Sequence, residues 1–238
     1  MESALQIKRS QGITRGKSDE IDAKRIASYA LKNEGQLKFC KIQRTCIKRL
    51  KSLLTTRDRL IKVKSQLEVS INECAQFIDP AIYKEMEKHC KRSLAAIQRD
   101  IEQIQKTILD VVKGDSALNQ QYKLVSSVPG IGLITALSVI VTTDEFQKFT
   151  SAKKFACYAG VAPFEHTSGT SIRGKTRVSP LANMTIKKLF HMASLSAVQH
   201  SQEIRQYYDR KVAQGKNKMS VLNAVRNKLI SRVFCCVK

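Results

Sequence analysis

Ser168 heads a stretch rich in glycine and cations, Ser168-Gly169-Thr170-Ser171-Ile172-Arg173-Gly174-Lys175-Thr176-Arg177. A serine hydroxyl is a weak nucleophile until it is oriented and deprotonated, and a phosphodiester target needs its charge neutralised. Gly169 permits close backbone approach, and Arg173, Lys175 and Arg177 follow within nine residues, so the stretch holds the parts to clamp and attack a DNA phosphate. Glu165 and His166 are both candidates for the base, and nothing in the sequence selects between them. The same residues also describe a polar surface loop whose cations only hold a nucleic-acid backbone, and composition alone favours that plainer reading.

Gly169 to Thr176 also fits G-x-x-x-x-G-K-[ST], the phosphate loop of nucleotide hydrolases. Such a loop follows a buried strand and opens a helix. Here Ala162-Pro163-Phe164-Glu165-His166 precedes it, which is no apolar strand, and Pro180 would interrupt the required helix. Nor does an apolar strand ending in Asp follow to hold magnesium. ATP binding is therefore the weakest of the functional readings.

A second phosphate-suited feature lies about forty residues upstream, at Pro129-Gly130-Ile131-Gly132. Pro129 lacks an N–H and the glycines tolerate unusual backbone angles, so a tight turn can open the apolar helix that follows. Amides around Gly130, Ile131 and Gly132 would then point outward at a helix start, where orphan N–H groups and the dipole favour an anion. This predicts the second turn of a helix-hairpin-helix, with Tyr122 to Ser127 in its first helix. An ordinary interhelical turn is the alternative.

The charge balance points the same way. The 238 residues carry 42 Lys+Arg against 20 Asp+Glu, a net charge of +22 divided as +10 before Gly114 and +12 after it. The excess runs through segments with regular apolar spacing, which favours folded surfaces meeting DNA or RNA. Seven cysteines form no C-x-x-C pair and the four histidines complete no zinc spacing, so reduced thiols in a cytoplasm are expected. The apolar run Leu133 to Val141 is far short of the roughly 18–20 residues that span a bilayer, so no membrane partner is expected.

Three segments must position these features. Residues 1–35 hold a polar glycine loop and a helix opened by Ser18-Asp19-Glu20-Ile21-Asp22. Residues 36–113 read as two long antiparallel helices with a corner at Asp79-Pro80. Leu53, Leu60, Leu67 and Cys74 recur every seven residues, flanked by Leu50, Val63 and Ile71; Leu94, Ile97, Ile101, Ile104 and Ile108 continue the a/d spacing of a coiled-coil hairpin. Residues 115–238 read as a compact helical domain, with helices near 116–127, 131–142, 151–159, 180–199, 201–213 and 217–236. Low aromatic content and little alternation argue against a large sheet, so the fold class is mainly α.

These motifs together resemble a known family. Pro129-Gly130-Ile131-Gly132, Phe155-x-x-Tyr158-Ala159-Gly160-Val161-x-Pro163, Ser168-Gly169-x-Ser171-x-Arg173-Gly174 and Arg177-x-Ser179 resemble the serine-bearing C-terminal domain of the "one-ten" insertion-sequence transposases, relatives of the Piv/MooV DNA invertases. Gly12-x-x-x-x-Lys17-Ser18-Asp19-x-x-Asp22-Ala23-x-x-Ile26-Ala27 resembles the last acidic motif of that family's DEDD RuvC-like α/β domain, making residues 1–35 a remnant of it.

The resemblance implies a recombinase of a mobile element in the bacterial cytoplasm, at the nucleoid. Ser168 matches the serine that forms a covalent phosphoserine link to DNA. Asp19 and Asp22 match the last two of four carboxylates that bind a divalent metal, expected to be Mg2+. Read without the resemblance, both are dipole-favoured acids behind a Ser18 cap. The family also implies a structured guide RNA, DNA element ends and target as partners, and a homodimer or tetramer.

On this resemblance the first Asp and the Glu of the carboxylate set are expected to lie outside this sequence, with a late-starting reading frame and a decayed copy as the two expected reasons. The chain alone is therefore expected to bind nucleic acid but to recombine poorly or not at all. A non-catalytic nucleic-acid-binding module is the alternative.

Overall fold

The computed structural model describes residues 4–12, 18–36, 42–74, 77–168, 172–179 and 181–237. The chain forms two compact units, Met1–Gln43 and Arg44–Lys238. The fold is mainly α, as the sequence implies. In the first unit, α1 (Ala4–Ser10) packs on α2 (Asp19–Lys32), and Tyr29 is the buried residue of α2. Ser18 caps α2, its hydroxyl accepting from the Ile21 N–H at 3.2 Å.

The second unit opens with two long helices, α3 (Thr45–Cys74) and α4 (Pro80–Lys113). Asp79 caps α4, accepting from the Ala81 N–H at 2.8 Å, and Pro80 takes the first helical position, where its missing N–H costs nothing. The pair is antiparallel: Ile47, Leu50 and Leu54 share a core with Ile108 and Val112, and farther out Lys64 donates to Gln98 at 2.9 Å.

The buried line along α3 differs from the expected leucine stripe. Leu50 and Ile71 are buried, whereas Leu53, Leu60 and Leu67 are half-buried and Val63 is exposed. Between Leu50 and Ile71, the same seven-residue line runs through half-buried Arg57 and Lys64. Long amphipathic stems can occupy such positions while their polar heads find amide partners, a pattern that counting leucines overlooks. The side chain of Cys74 lies outside the described residues.

The remaining helices wrap a single core. They are α5 (Ser116–Ser126), α6 (Leu133–Thr143), α7 (Ala152–Tyr158), α8 (Met184–His200), α9 (Gln202–Ala213) and α10 (Lys218–Val237). Each lies within a few residues of its expected span. Fully buried Phe155 sits at the centre, with ring centroids 5.4 Å from Phe149, 5.4 Å from Phe234 and 6.3 Å from Phe190. The base of the α3–α4 pair belongs to this same core, so packing is continuous across residue 114.

Arg44 locks that base. It pairs with Asp115, the cap of α5, and at 2.7 Å with Glu145. Glu145 lies within three successive left-handed residues, Asp144, Glu145 and Phe146, with φ of 51, 54 and 63°. Non-glycine residues adopt this conformation at a cost, here offset by Thr143 Oγ1 accepting from the Phe146 N–H at 3.1 Å and by Phe146 packing edge-on to Phe234.

The Leu118 N–H first, and the Arg44 guanidinium second, hold the Asp115 carboxyl below its ordinary range. A depressed carboxylate stabilises the fold above its unfolded pKa and loses that contribution as pH falls through the folded value. Asp115→Asn keeps a capping side chain but removes the charge. Because Arg44 is partly exposed and screened, the expected loss is about 0.5–1 kcal/mol at neutral pH. In thermal melts, the gap between variant and parent should close below about pH 4.

Candidate nucleic-acid site

The stretch bearing Ser168 is a two-stranded antiparallel hairpin rather than a loop. β1 (Phe164–Ser168) pairs with β2 (Ile172–Arg177) in the register Ser168↔Ile172, Thr167↔Arg173, His166↔Gly174 and Phe164↔Arg177, with an irregularity between Phe164 and His166. The alternation His166-Thr167-Ser168 and Ile172-Arg173-Gly174 is too short and polar to register as a strand pair in the sequence. Ser168 therefore ends β1 beside the tip, and Arg173, Lys175 and Arg177 take alternate positions on β2. Gly169 and Ser171 lie outside the described residues.

This geometry disposes of the nucleotide-hydrolase pattern. Gly174, Lys175 and Thr176 lie inside a strand, and the next helix, α8, begins only at Met184, so no helix N-terminus stands behind the lysine. Lys175→Ala should leave ATP binding at the same background level as the parent chain, measured by equilibrium dialysis; nucleotide binding that vanished with the lysine would restore that reading.

The hairpin is anchored at both ends. Gly160, at φ 65°, sits so close to the returning chain that a Cβ would lie 2.6 Å from Ala182 Cβ and 3.1 Å from Val178 Cγ1. Asn183 caps α8 by accepting from the Ile186 N–H at 3.1 Å, while its side-chain amide donates to the Tyr158 hydroxyl at 2.9 Å. Asn223 of α10 donates to the Val161 carbonyl at 2.8 Å. Together these explain the Tyr158-Ala159-Gly160-Val161 motif: it fixes the root from which the serine strand leaves. Sequence reasoning missed Asn183 and Asn223, because a lone asparagine carries no signal until its partner is known.

The glycine turn divides into two roles. Gly132 is exposed, at φ −83°, caps α6 and has no atom within 4 Å of where a Cβ would stand. The first amides of α6 have no intrahelical acceptor, so this open end suits a phosphate. Ile131 does not share that role, and Gly130 has a packing role of its own. The Ile131 N–H donates to the Val128 carbonyl at 3.0 Å and its side chain is buried. Gly130, at φ 82°, faces α8, where a Cβ would meet the Ala193 carbonyl oxygen at 2.4 Å. The expectation of outward amides is thus corrected at Ile131, because the turn needs its own closing bond, while Gly130 gives the turn a close seat on α8.

Asp19 and Asp22 open α2 in the first unit. Asp19 is exposed, and Asp22 pairs with Arg25 at 3.2 Å. Three residues apart on one helix, both can present hard carboxylate oxygens to one divalent cation. Among the described residues no three His, Cys, Asp or Glu side chains cluster as a metal site, and no helix is long and apolar enough to cross a membrane.

Two family models match this chain. One, described as the transposase IS116/IS110/IS902 family, covers residues 122–209, and a DEDD transposase model of the IS110 type covers residues 2–80. The chain is 26% identical over 235 residues to the pilin gene-inverting protein of Moraxella bovis, a match spanning 97% of this chain and 68% of that protein. It is 31% identical over 115 residues to an insertion element IS110 protein of Streptomyces coelicolor, covering 48% of this chain and 28% of that one. It is 25% identical over 177 residues to the transposase for insertion sequence element IS1111A of Coxiella burnetii, covering 64% and 47%. The matched models take in the acidic helix α2, the glycine turn and the serine hairpin, and this chain belongs to the IS110 family of insertion-element transposases.

Proposed function

We propose that this chain cuts and rejoins DNA through Ser168. The observation carrying this reading is Ser168 at the tip-proximal end of a rooted β-hairpin whose opposite strand holds Arg173, Lys175 and Arg177. In the step, Ser168 Oγ forms a bond to phosphorus as the bond to one deoxyribose oxygen breaks. The serine proton leaves to a base, and the departing sugar oxygen acquires a proton. One phosphodiester replaces another, so no nucleotide hydrolysis is needed, and rejoining is the same exchange run by a sugar hydroxyl.

Gly132 and the first turn of α6 hold a neighbouring phosphate. They position the DNA without reading its sequence, which on this proposal falls to a structured guide RNA. Asp19 and Asp22 hold a divalent cation, expected to be magnesium, which supplies neutralisation of phosphate charge when bound. A dimer or tetramer brings the DNA ends together.

The test is a nicked element-end duplex incubated with the chain, guide RNA and magnesium, followed by a denaturing gel. A covalent protein–DNA species supports the reading. DNA and RNA binding with no such species would leave a non-catalytic binding module.

A further inference from the structure

Arg226, on α10, is only 6% exposed, yet among the described residues no carboxylate pairs with it. Its Nη2 lies 2.8 Å from His191 Nδ1 on α8, its Nη1 lies 3.4 Å from Asn223 Oδ1, and its buried Nε has no partner. A guanidinium can only donate, so Nδ1 must accept, and the neutral His191 ring then carries its proton on Nε2. Among the described residues that Nε2 has no hydrogen-bond partner, and His191 is half-buried. Burial, and then the neighbouring Arg226 charge, push the His191 pKa down, in keeping with a neutral ring.

A buried cation without an anion is expensive. The cluster also reaches the segment that leads into the serine hairpin: the Asn223 side chain that faces Arg226 holds the Val161 carbonyl, three residues before β1. We infer that Arg226 and His191 form a donor-only receptor for one phosphate oxygen of a nucleic-acid backbone at the root of the Ser168 hairpin. The choice of nucleic acid as ligand rests on the function proposed above; the demand for an anion rests on Arg226 alone. Bound there, a phosphate would take the His191 Nε2–H and balance the guanidinium in a low-dielectric setting, where such attraction is strongest.

The experiment uses the full chain with 15N-labelled histidine, titrated separately with inorganic phosphate and with a short DNA duplex. The His191 resonances should report the Nε2–H tautomer and shift saturably with both probes. Arg226→Met should remove both shifts and weaken duplex binding by roughly tenfold, while raising the melting temperature because an uncompensated buried charge is gone. If Arg226→Met fails to fold, Arg226→Lys retains the charge without the planar fork and should likewise blunt the shifts.

An unmoved His191 with both probes, or a lower melting temperature in Arg226→Met with unchanged duplex affinity, would make the pair purely structural and overturn the inference. A shift with inorganic phosphate and none with the duplex would overturn the nucleic-acid assignment. Because the shifts need no DNA cleavage, a chain that gives them without a covalent adduct sinks the Ser168 reading and keeps this one.

Discussion

Ser168→Ala should abolish the covalent protein–DNA species completely while leaving duplex affinity within about twofold of the parent, since the substitution removes one hydroxyl and no charge. The all-or-none character follows from chemistry. An alanine has no atom able to bond phosphorus, whereas loss of an orienting or charge-neutralising group only slows attack, typically by about a hundred- to a thousandfold. A nicked substrate makes the readout sensitive, because the short strand released on attack diffuses away and the reverse step is lost. The linkage is an alkyl phosphodiester on a serine, so mild alkali should release the DNA by β-elimination. Forming the adduct needs one nucleophile and one phosphate, whereas completed strand exchange needs paired ends and a metal as well. The adduct can therefore form in a chain that recombines poorly. An adduct that persisted in Ser168→Ala, or that resisted alkali, would move the nucleophile to another side chain.

The helices were legible from the sequence because their signals are local. Asp79-Pro80, the Ser18 cap and the apolar run after Gly132 each act within a turn of the backbone, and the structure places helix ends there. The hairpin was not legible, since its strands are short and polar and owe their pairing to the tether at Gly160, Asn183 and Asn223, residues far apart in the chain. The polar seam at Arg57 and Lys64 was missed for a related reason: periodicity counts apolar residues, and the partner amides lie more than thirty residues away, as with Lys64 and Gln98. Of the proposed site, the serine, its cations and the glycine turn are candidates by residue type alone. Arg226 could not, because a buried arginine in a cation-rich chain looks like any other until its surroundings are known.

Gly130→Ala should cost about 3 kcal/mol or more, whereas Gly132→Ala, two residues on, should change stability by less than about 0.5 kcal/mol. At Gly130 two penalties combine. The φ of 82° is left-handed territory that an alanine occupies at a cost of about 1–2 kcal/mol, and its Cβ would stand 2.4 Å from the Ala193 carbonyl oxygen and 2.9 Å from the Ala197 nitrogen. Both neighbours are helical backbone, so neither can swing aside. Buried Ala193 and Ala197, four residues apart on α8, already leave the turn all the room that small side chains can give. Relief must come from moving the α5–α6 turn off α8, which disturbs buried Val128 and Ile131. For a domain of this size the melting temperature should fall by roughly 6–12 °C. Gly132, at φ −83° in open space, has neither penalty, so its alanine variant should melt with the parent. That variant should still bind DNA more weakly, because the new methyl group crowds the approach to the α6 amides. Equal melting losses in both variants would mean that the turn answers to strain alone, and would remove the division between a packing glycine and a phosphate-facing one.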